Sequence, residues 1–334
     1  MSQAWQFYII TLLVYTGVDV IAVWALNLQY GLGGILNFAF VIFQSIGAYV
    51  ASVLTLGSSS ASGGYQHYIL GATLPWPLPL LLACVAGGAL AFVIGLFALR
   101  PKRSDYQGMV LLTVSLIATV IVTSQVNLFN GSSGLVGVPH PLDSLFHLGL
   151  VEFGWFYCAL TAVVLAVVYL GVHRLTASPW GRLVRAMRDN PVAAQAAGAD
   201  VWRLQMQVFV IGGAIAAVSG AVLVQFLGAW APASWSTTET FVFFVCVVVG
   251  GLGNNFGAAV GSVVVLTVLL NGLQYLPILE FSTVASALQT VALGLVIIAF
   301  LWFRPAGLVP ERRRRFAPAI PPAPEQTPSA ADAA

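Results

Sequence analysis

Apolar runs of membrane-spanning length recur along the 334-residue chain, separated by short polar or glycine-rich breaks. A helix rises about 1.5 Å per residue, so crossing about 30 Å of hydrocarbon takes about 20 apolar residues. Candidate runs cover 7–28, 35–56, 78–99, 108–128, 151–172, 204–227, 241–252, 256–275 and 284–303, the seventh being short. This pattern predicts an all-α polytopic membrane protein of about nine transmembrane helices, with eight to ten as the range. Glycines interrupt the pattern near Tyr30 and near Gly250, where a re-entrant or split segment would fit.

One interval, 178–203, stands apart because it could not sit in a bilayer. Its punctuation is local and clear. Ser178 followed by Pro179 reads as a helix N-cap and first helical residue. Asn190 and Pro191 repeat the signal, and the residue before a proline is pushed out of helical geometry, so the first helix stops there. Gly198 suits a left-handed position just past a second, two-turn helix, and Asp200 caps a third. Arg182, Arg185 and Arg188 follow at three-residue spacing and share one face. The interval is expected to form a compact helix–break–helix knob between two spans. Its arginines are either a solvated face or part of a docking element for a soluble partner.

Composition sharpens the picture. Hydrophobic residues make up 59% of the chain and charged residues 7%, where a soluble domain carries about a quarter. Every basic residue lies within 100–103, 174–203 or 304–315. Basic loops face the cytoplasm, and alternating the spans from there places the N-terminus outside and the C-terminus inside. Residues 1–304 are then the membrane domain, with the cytoplasmic loop at 173–204. Residues 305–334 form a basic, then proline- and alanine-rich tail, expected to be disordered. Its arginine run marks the cytoplasmic surface of the membrane lipid. Cys84, Cys158 and Cys246 sit inside apolar runs and read as packing residues, and the four histidines form no metal-ligand pair.

Three polar features interrupt the apolar runs. Gly31, Gly33 and Gly34 precede a segment that carries Asn37, Gln44 and Ser45. Gly253, Gly257 and Gly261 stand four residues apart, a stripe that lets helices approach closely. Glycine-interrupted segments at matching places in two halves of a chain either mark a transport pathway or serve packing. Ser115, Thr119, Thr123 and Asn127 repeat every four residues on one gently drifting face. That face is expected to point into the bundle, either to bond neighbouring helices or to line a polar pathway.

No phosphate-binding loop of the form GxxxxGK[ST] occurs, and Lys102 is the only lysine. Asp19 is the only acid well inside a span, so the carboxylate chain of a proton-driven carrier is missing. A pathway without a motor, together with a docking knob, points to a permease driven by a separate ATPase.

The residues also resemble a known family. The segment GRLVRAMRDNPVAAQAAGADVWRLQMQVFVIGG is similar to the cytoplasmic loop and following span of bacterial branched-chain amino acid ABC transporter permeases. GLGGILNFAFVIFQSIGAY, GSSGLVGVP, VGGLGNNFGAAVG and FRPAGL resemble that family's other motifs, in the family's order. The length and closing motif resemble the longer of its two permease types. The resemblance implies a non-catalytic permease subunit of the inner membrane, often paired with a different second permease. It also implies two ATP-binding subunits inside and a periplasmic substrate-binding protein outside, with no nucleic acid involved. ATP and magnesium would be used by the partner subunits, and no cofactor by this chain. Coupling to the ATPase would fall on Pro191, Ala193, Ala194 and Gly198, with Arg185 and Arg188 beside them. The pathway would be lined by Asn37, Gln44, Ser115, Thr119 and Thr123. Val192 and Gln195 depart from the acidic residues common in the family's loop. Substrates in the wider family include leucine, isoleucine, valine, urea and short amides; a motor-free channel or carrier is the alternative class.

The topology is testable in intact cells with single cysteines placed in a cysteine-free background. A cysteine at Ser132 should react with an impermeant reagent added outside, and one at Ser329 should not. The reverse accessibility would overturn the orientation.

Overall fold

The structure, a computed structural model, describes residues 3–58, 66–100, 104–141, 149–271, 291, 294–300, 302–304 and 306–311. Among the described residues, eight bounded helices belong to the membrane domain: α1 (Gln3–Leu26), α2 (Phe40–Leu56), α3 (Leu78–Ala98) and α4 (Ser104–Ser124), then, beyond the short α5 (Val126–Phe129), α6 (Leu150–Ala177), α9 (Val201–Leu227), α10 (Thr237–Gly250) and α11 (Asn255–Ser262). The knob between α6 and α9 holds α7 (Pro179–Asp189) and α8 (Pro191–Ala196). Among the described residues, six helical segments are long and apolar enough to cross a membrane, and α2 and the α11 region are shorter apolar helices. The ninth expected span is described only at 291, 294–300 and 302–303, where it is helical.

Two helix ends depart from regular α geometry. The ladder of α1 widens into a π-helical turn over Asn27–Leu32, and α11 runs on as a π-helix over Val263–Asn271. The second span begins at Phe40 and not near residue 35. Gly34 is in the left-handed region at φ +70°, and the Asn37 side chain takes the Ala39 N–H at 3.0 Å, so this stretch turns before it can enter a helix.

The core forms around α9, which lies against α2 and α3, with α1 on another side. Small residues bring these axes together. A Cβ on Gly220 of α9 would lie 1.9 Å from the Gln44 carbonyl oxygen of α2, and one on Gly47 of α2 would lie 2.1 Å from that of Ala217. Phe43 and Phe209 then meet edge to face, with ring centroids 5.4 Å apart. The packing role expected of the later glycine stripe holds. A Cβ on Gly257 would lie 2.5 Å from the Gly250 carbonyl oxygen, and one on Gly261 would lie 2.1 Å from that of Cys246. In contrast, α3, α4 and α6 turn large apolar side chains outward, such as Phe97, Val120 and Val167, as helices facing lipid do.

The two ends of the bundle differ. At one end the loops clasp each other: Leu135–Val136 pairs antiparallel with Ala229–Trp230, and His67 N–H donates to Asn130 Oδ1 at 3.1 Å. The Gly- and Ser-rich loop is therefore structured, as its turn residues suggest. The knob and the basic helix ends gather at the other end.

The packing argument predicts opposite outcomes for one added methyl group. Gly220→Ala forces two backbones apart and should cost about 1–3 kcal/mol, read as a lower Tm in detergent. Gly171→Ala in α6 meets nothing within 4 Å and should leave Tm unchanged or raise stability by about 0.5–1 kcal/mol. Equal effects at the two sites would refute close α2–α9 contact.

Candidate functional site

The knob is built from local capping. Ser178 Oγ accepts the Gly181 N–H, and Asn190 Oδ1 accepts the Ala193 N–H at 3.0 Å. Gly198, at φ +89°, turns the chain after α8 while the Ala199 N–H bonds the Ala194 carbonyl at 3.0 Å. Asp200 Oδ1 accepts the Arg203 N–H at 3.1 Å and starts α9. Along α7, Gly181, Val184 and Met187 form the buried face, and Trp180 Nε1 donates to Gln207 of α9 at 2.8 Å. The knob is thus fastened to the bundle at both ends and along one side.

Its surfaces differ from the expectation in two respects. Pro191, Ala193 and Gly198 are exposed, and Val192 is 74% exposed. Ala194, expected on the same docking surface, is only 8% exposed and packs into the main core. The reason is geometric: on so short a helix one residue must close the knob against the bundle. Arg185 and Arg188, expected beside the docking residues, turn inward as well, while Arg182 stays exposed.

Their partner is Glu311, from the far end of the described chain. Arg185 Nε lies 3.0 Å from Glu311 Oε1, and Arg188 Nη2 donates to Oε2 at 2.9 Å. Arg188 Nη1 also donates to the Gly31 carbonyl, and Nε donates to Asp189. Burial works against the Arg188 charge. Hydrogen bonding and charge from Glu311, with those of Asp189, outweigh it and raise the Arg188 pKa above its ordinary value.

The closing segment that carries Glu311 lies across the turn between α10 and α11. Leu308 N–H bonds the Val249 carbonyl at 2.8 Å, and Val309 N–H bonds that of Gly250 at 3.1 Å. Asn254 Nδ2 donates to the Val309 carbonyl at 3.2 Å, while its Oδ1 caps α11. A Cβ on Gly253 would lie 2.8 Å from Glu311 Oε2 and 2.9 Å from Arg188 Nη1. The turn also closes onto α1: Asn27 Oδ1 accepts the Gly253 N–H at 3.0 Å, and Asn27 Nδ2 donates to Asn255 Oδ1 at 3.1 Å. Asn255 Nδ2 reaches Thr176 Oγ1 of α6 at 3.2 Å. The knob, both glycine-rich segments and the closing motif therefore meet at one place.

Asn37 belongs to a second buried set. Its Nδ2 donates to Gln29 Oε1 at 2.7 Å, and Gln29 Nε2 donates to the Phe209 carbonyl at 2.9 Å. Sequence reading singled out Asn37 but missed Asn27, Gln29 and Asn255. Their one signal is an amide near a span end within four residues of a glycine, and buried amides require partners.

The other candidate pathway residues do not converge. Gln44 is buried on α2. Ser115 is buried and shares a hydrogen bond with Thr237 at 3.2 Å. Thr119 and Thr123 instead face outward on α4, each bonded to the carbonyl four residues earlier, at 3.0 and 2.9 Å. The expectation that the whole row, Asn127 included, points into the bundle fails because a four-residue step overshoots the helical turn by about 40°, so each step beyond Ser115 turns further from the inner face, and Asn127 is exposed as well.

The chain was compared with known proteins. The family described as "Branched-chain amino acid transport system / permease component" matches residues 8–301. A probable branched-chain amino acid transport permease protein LivM from Methanocaldococcus jannaschii is 28% identical over 90% of this chain and 93% of its own. The high-affinity branched-chain amino acid transport system permease protein LivM of Escherichia coli is 26% identical, over 94% and 73%. The corresponding LivH of Salmonella typhimurium is 28% identical, over 71% and 76%. No solved structure matches. The family's match spans most of the chain and includes three of the four segments that meet around Arg188, the closing motif lying beyond it, so this multi-pass membrane protein belongs to the branched-chain amino acid transport permease family.

Proposed function

We propose that this chain is one of two permeases in an importer of branched-chain amino acids, powered by ATP hydrolysis on separate subunits. The observation that carries this reading is the knob. It is capped at each break, fastened to α9, and offers Val192 and Ala193 to solvent at the end that carries the basic residues. Motion generated by a soluble ATPase must cross a protein contact, and a rigid element carries it where a floppy loop would absorb it. A small apolar helix tip suits a groove on such a partner.

The likeness to both LivM and LivH supports work beside a second, different permease. Without a phosphate-binding loop in this sequence, ATP and magnesium belong to the ATP-binding subunits. The clasped loops at the opposite end face the periplasm and receive the binding protein. On this reading the protein sits in the bacterial inner membrane with its N-terminus outside and its C-terminus in the cytoplasm, as the basic loops suggest.

A pair of neighbouring alanines tests the docking surface. Ala193→Arg adds bulk and charge to the exposed tip, and arginine is nearly as good a helix former as alanine. The variant should reach the membrane in normal amounts, lose the ATP-binding subunits on gentle purification, and lose uptake of radiolabelled leucine. Ala194→Arg should instead reduce the amount of folded subunit, because it buries a charge without a partner at a cost of several kcal/mol. Full leucine uptake by Ala193→Arg, with the ATP-binding subunits still attached, would remove the knob from the coupling path.

A further inference from the structure

The geometry points to Arg188 as the positioning residue that carries movement of the knob to the two glycine-rich segments, with Glu311 as its fixed counterpart. This rests on the docking role of the knob proposed above, but it assigns Arg188 no contact with the ATPase. The Arg188 side chain is 18% exposed, and each of its three nitrogens donates to an acceptor inside the chain.

The contacts close a ring. From α7, Arg188 holds the Gly31 carbonyl at the π-helical end of α1. From α1, Asn27 holds the Gly253 N–H in the turn between α10 and α11. From that turn, Asn254 holds the Val309 carbonyl, and two residues later Glu311 returns to both Arg185 and Arg188. Its two oxygens are divided between arginines one turn apart on α7, which fixes the carboxylate against rotation of the helix as well as against sliding.

A ring of this kind moves as one body. A push on α7 displaces the ends of α1, α10 and α11 together, because each is tied to the next by a hydrogen bond or ion pair and not by packing alone. Glycine makes the neighbouring backbone compliant: Gly34, Gly251 and Gly253 all have positive φ, and the first non-helical residues of the second span follow Gly34. The segments that receive the push are therefore the ones able to bend. Ordinary surface arginines would not serve. An exposed ion pair contributes little and is screened, whereas a largely buried guanidinium with three acceptors has a defined position.

The test uses the complete transporter, with both permeases and the ATP-binding subunits, in proteoliposomes. Arg188→Gln and Glu311→Ala are compared with wild type by co-purification, ATP hydrolysis and leucine imported per ATP. Both variants should keep the ATP-binding subunits and keep hydrolysing ATP, while leucine per ATP falls at least about fivefold. Spin labels report the motion directly, as distances from Ser132 at the clasped end. In wild type, nucleotide should shift labels at Ala186, exposed on α7, and Leu252 together; in Arg188→Gln, only the Ala186 label should shift. If Arg188→Gln fails to accumulate, Glu311→Ala decides, since it removes the same link with the knob helix unaltered in sequence.

Wild-type leucine per ATP in both variants, or a Leu252 label that still follows Ala186, would overturn the proposal. Loss of the ATP-binding subunits from Glu311→Ala would overturn it as well, because the pair would then be shaping the docking surface. Failure of the docking reading itself appears elsewhere, as retained ATP-binding subunits in Ala193→Arg.

Discussion

A guanidinium removed from water must be surrounded by acceptors, and this requirement organises one whole end of the molecule. Arg188 needs a carboxylate and carbonyls at fixed positions, and the chain supplies them from segments far apart in sequence: Glu311 and Gly31. Neither can reach unless the backbone around it is nearly free of side chains. That explains why Gly31, Gly34 and Gly253 surround the guanidinium, each with no room for a larger side chain or in a left-handed conformation. The glycines and the arginine are one feature, although the sequence displays them as three.

Much of the fold was legible because it is decided locally. Ser178–Pro179, Asn190–Pro191, Gly198 and Asp200 each act within a few residues, and each caps or turns as its type dictates. The helical class followed from the length of the apolar runs. What remained hidden was the direction in which side chains point once helices are docked. Ala194 is surrounded by alanines that are exposed, and only the bundle behind it makes it different. Thr119 and Thr123 share a spacing with Ser115, but α4 meets its neighbours along a narrower strip than that spacing covers. Arg185 and Arg188 looked like a solvated or partner-facing edge because their carboxylate lies 123 residues further on from Arg188.

The same distinction separates two uses of glycine. At Gly47, Gly220, Gly257 and Gly261 the missing side chain lets backbones touch, which makes the central and later helix pairs stiff. At Gly34, Gly251 and Gly253 the positive φ lets the chain turn where no helix continues. Stiffness through the membrane and compliance at its basic edge are complementary. A displacement applied at the edge is neither lost in the turns, which are bound into a ring, nor blurred by helices sliding on loose contacts.

The long reach of these contacts also bears on how the protein is made. Synthesis runs from the N-terminus, and earlier segments are placed before later ones exist. Asn27 is 226 residues ahead of the Gly253 N–H that it accepts, and Arg188 enters long before Glu311. Until those residues emerge from the ribosome, the Asn27 amide at the end of the first helix and the Arg188 Nη2 that will meet Glu311 have only water or lipid headgroups to satisfy them. The nascent chain must therefore keep that end at the membrane surface, and the last described residue to be translated is the one that lets it close.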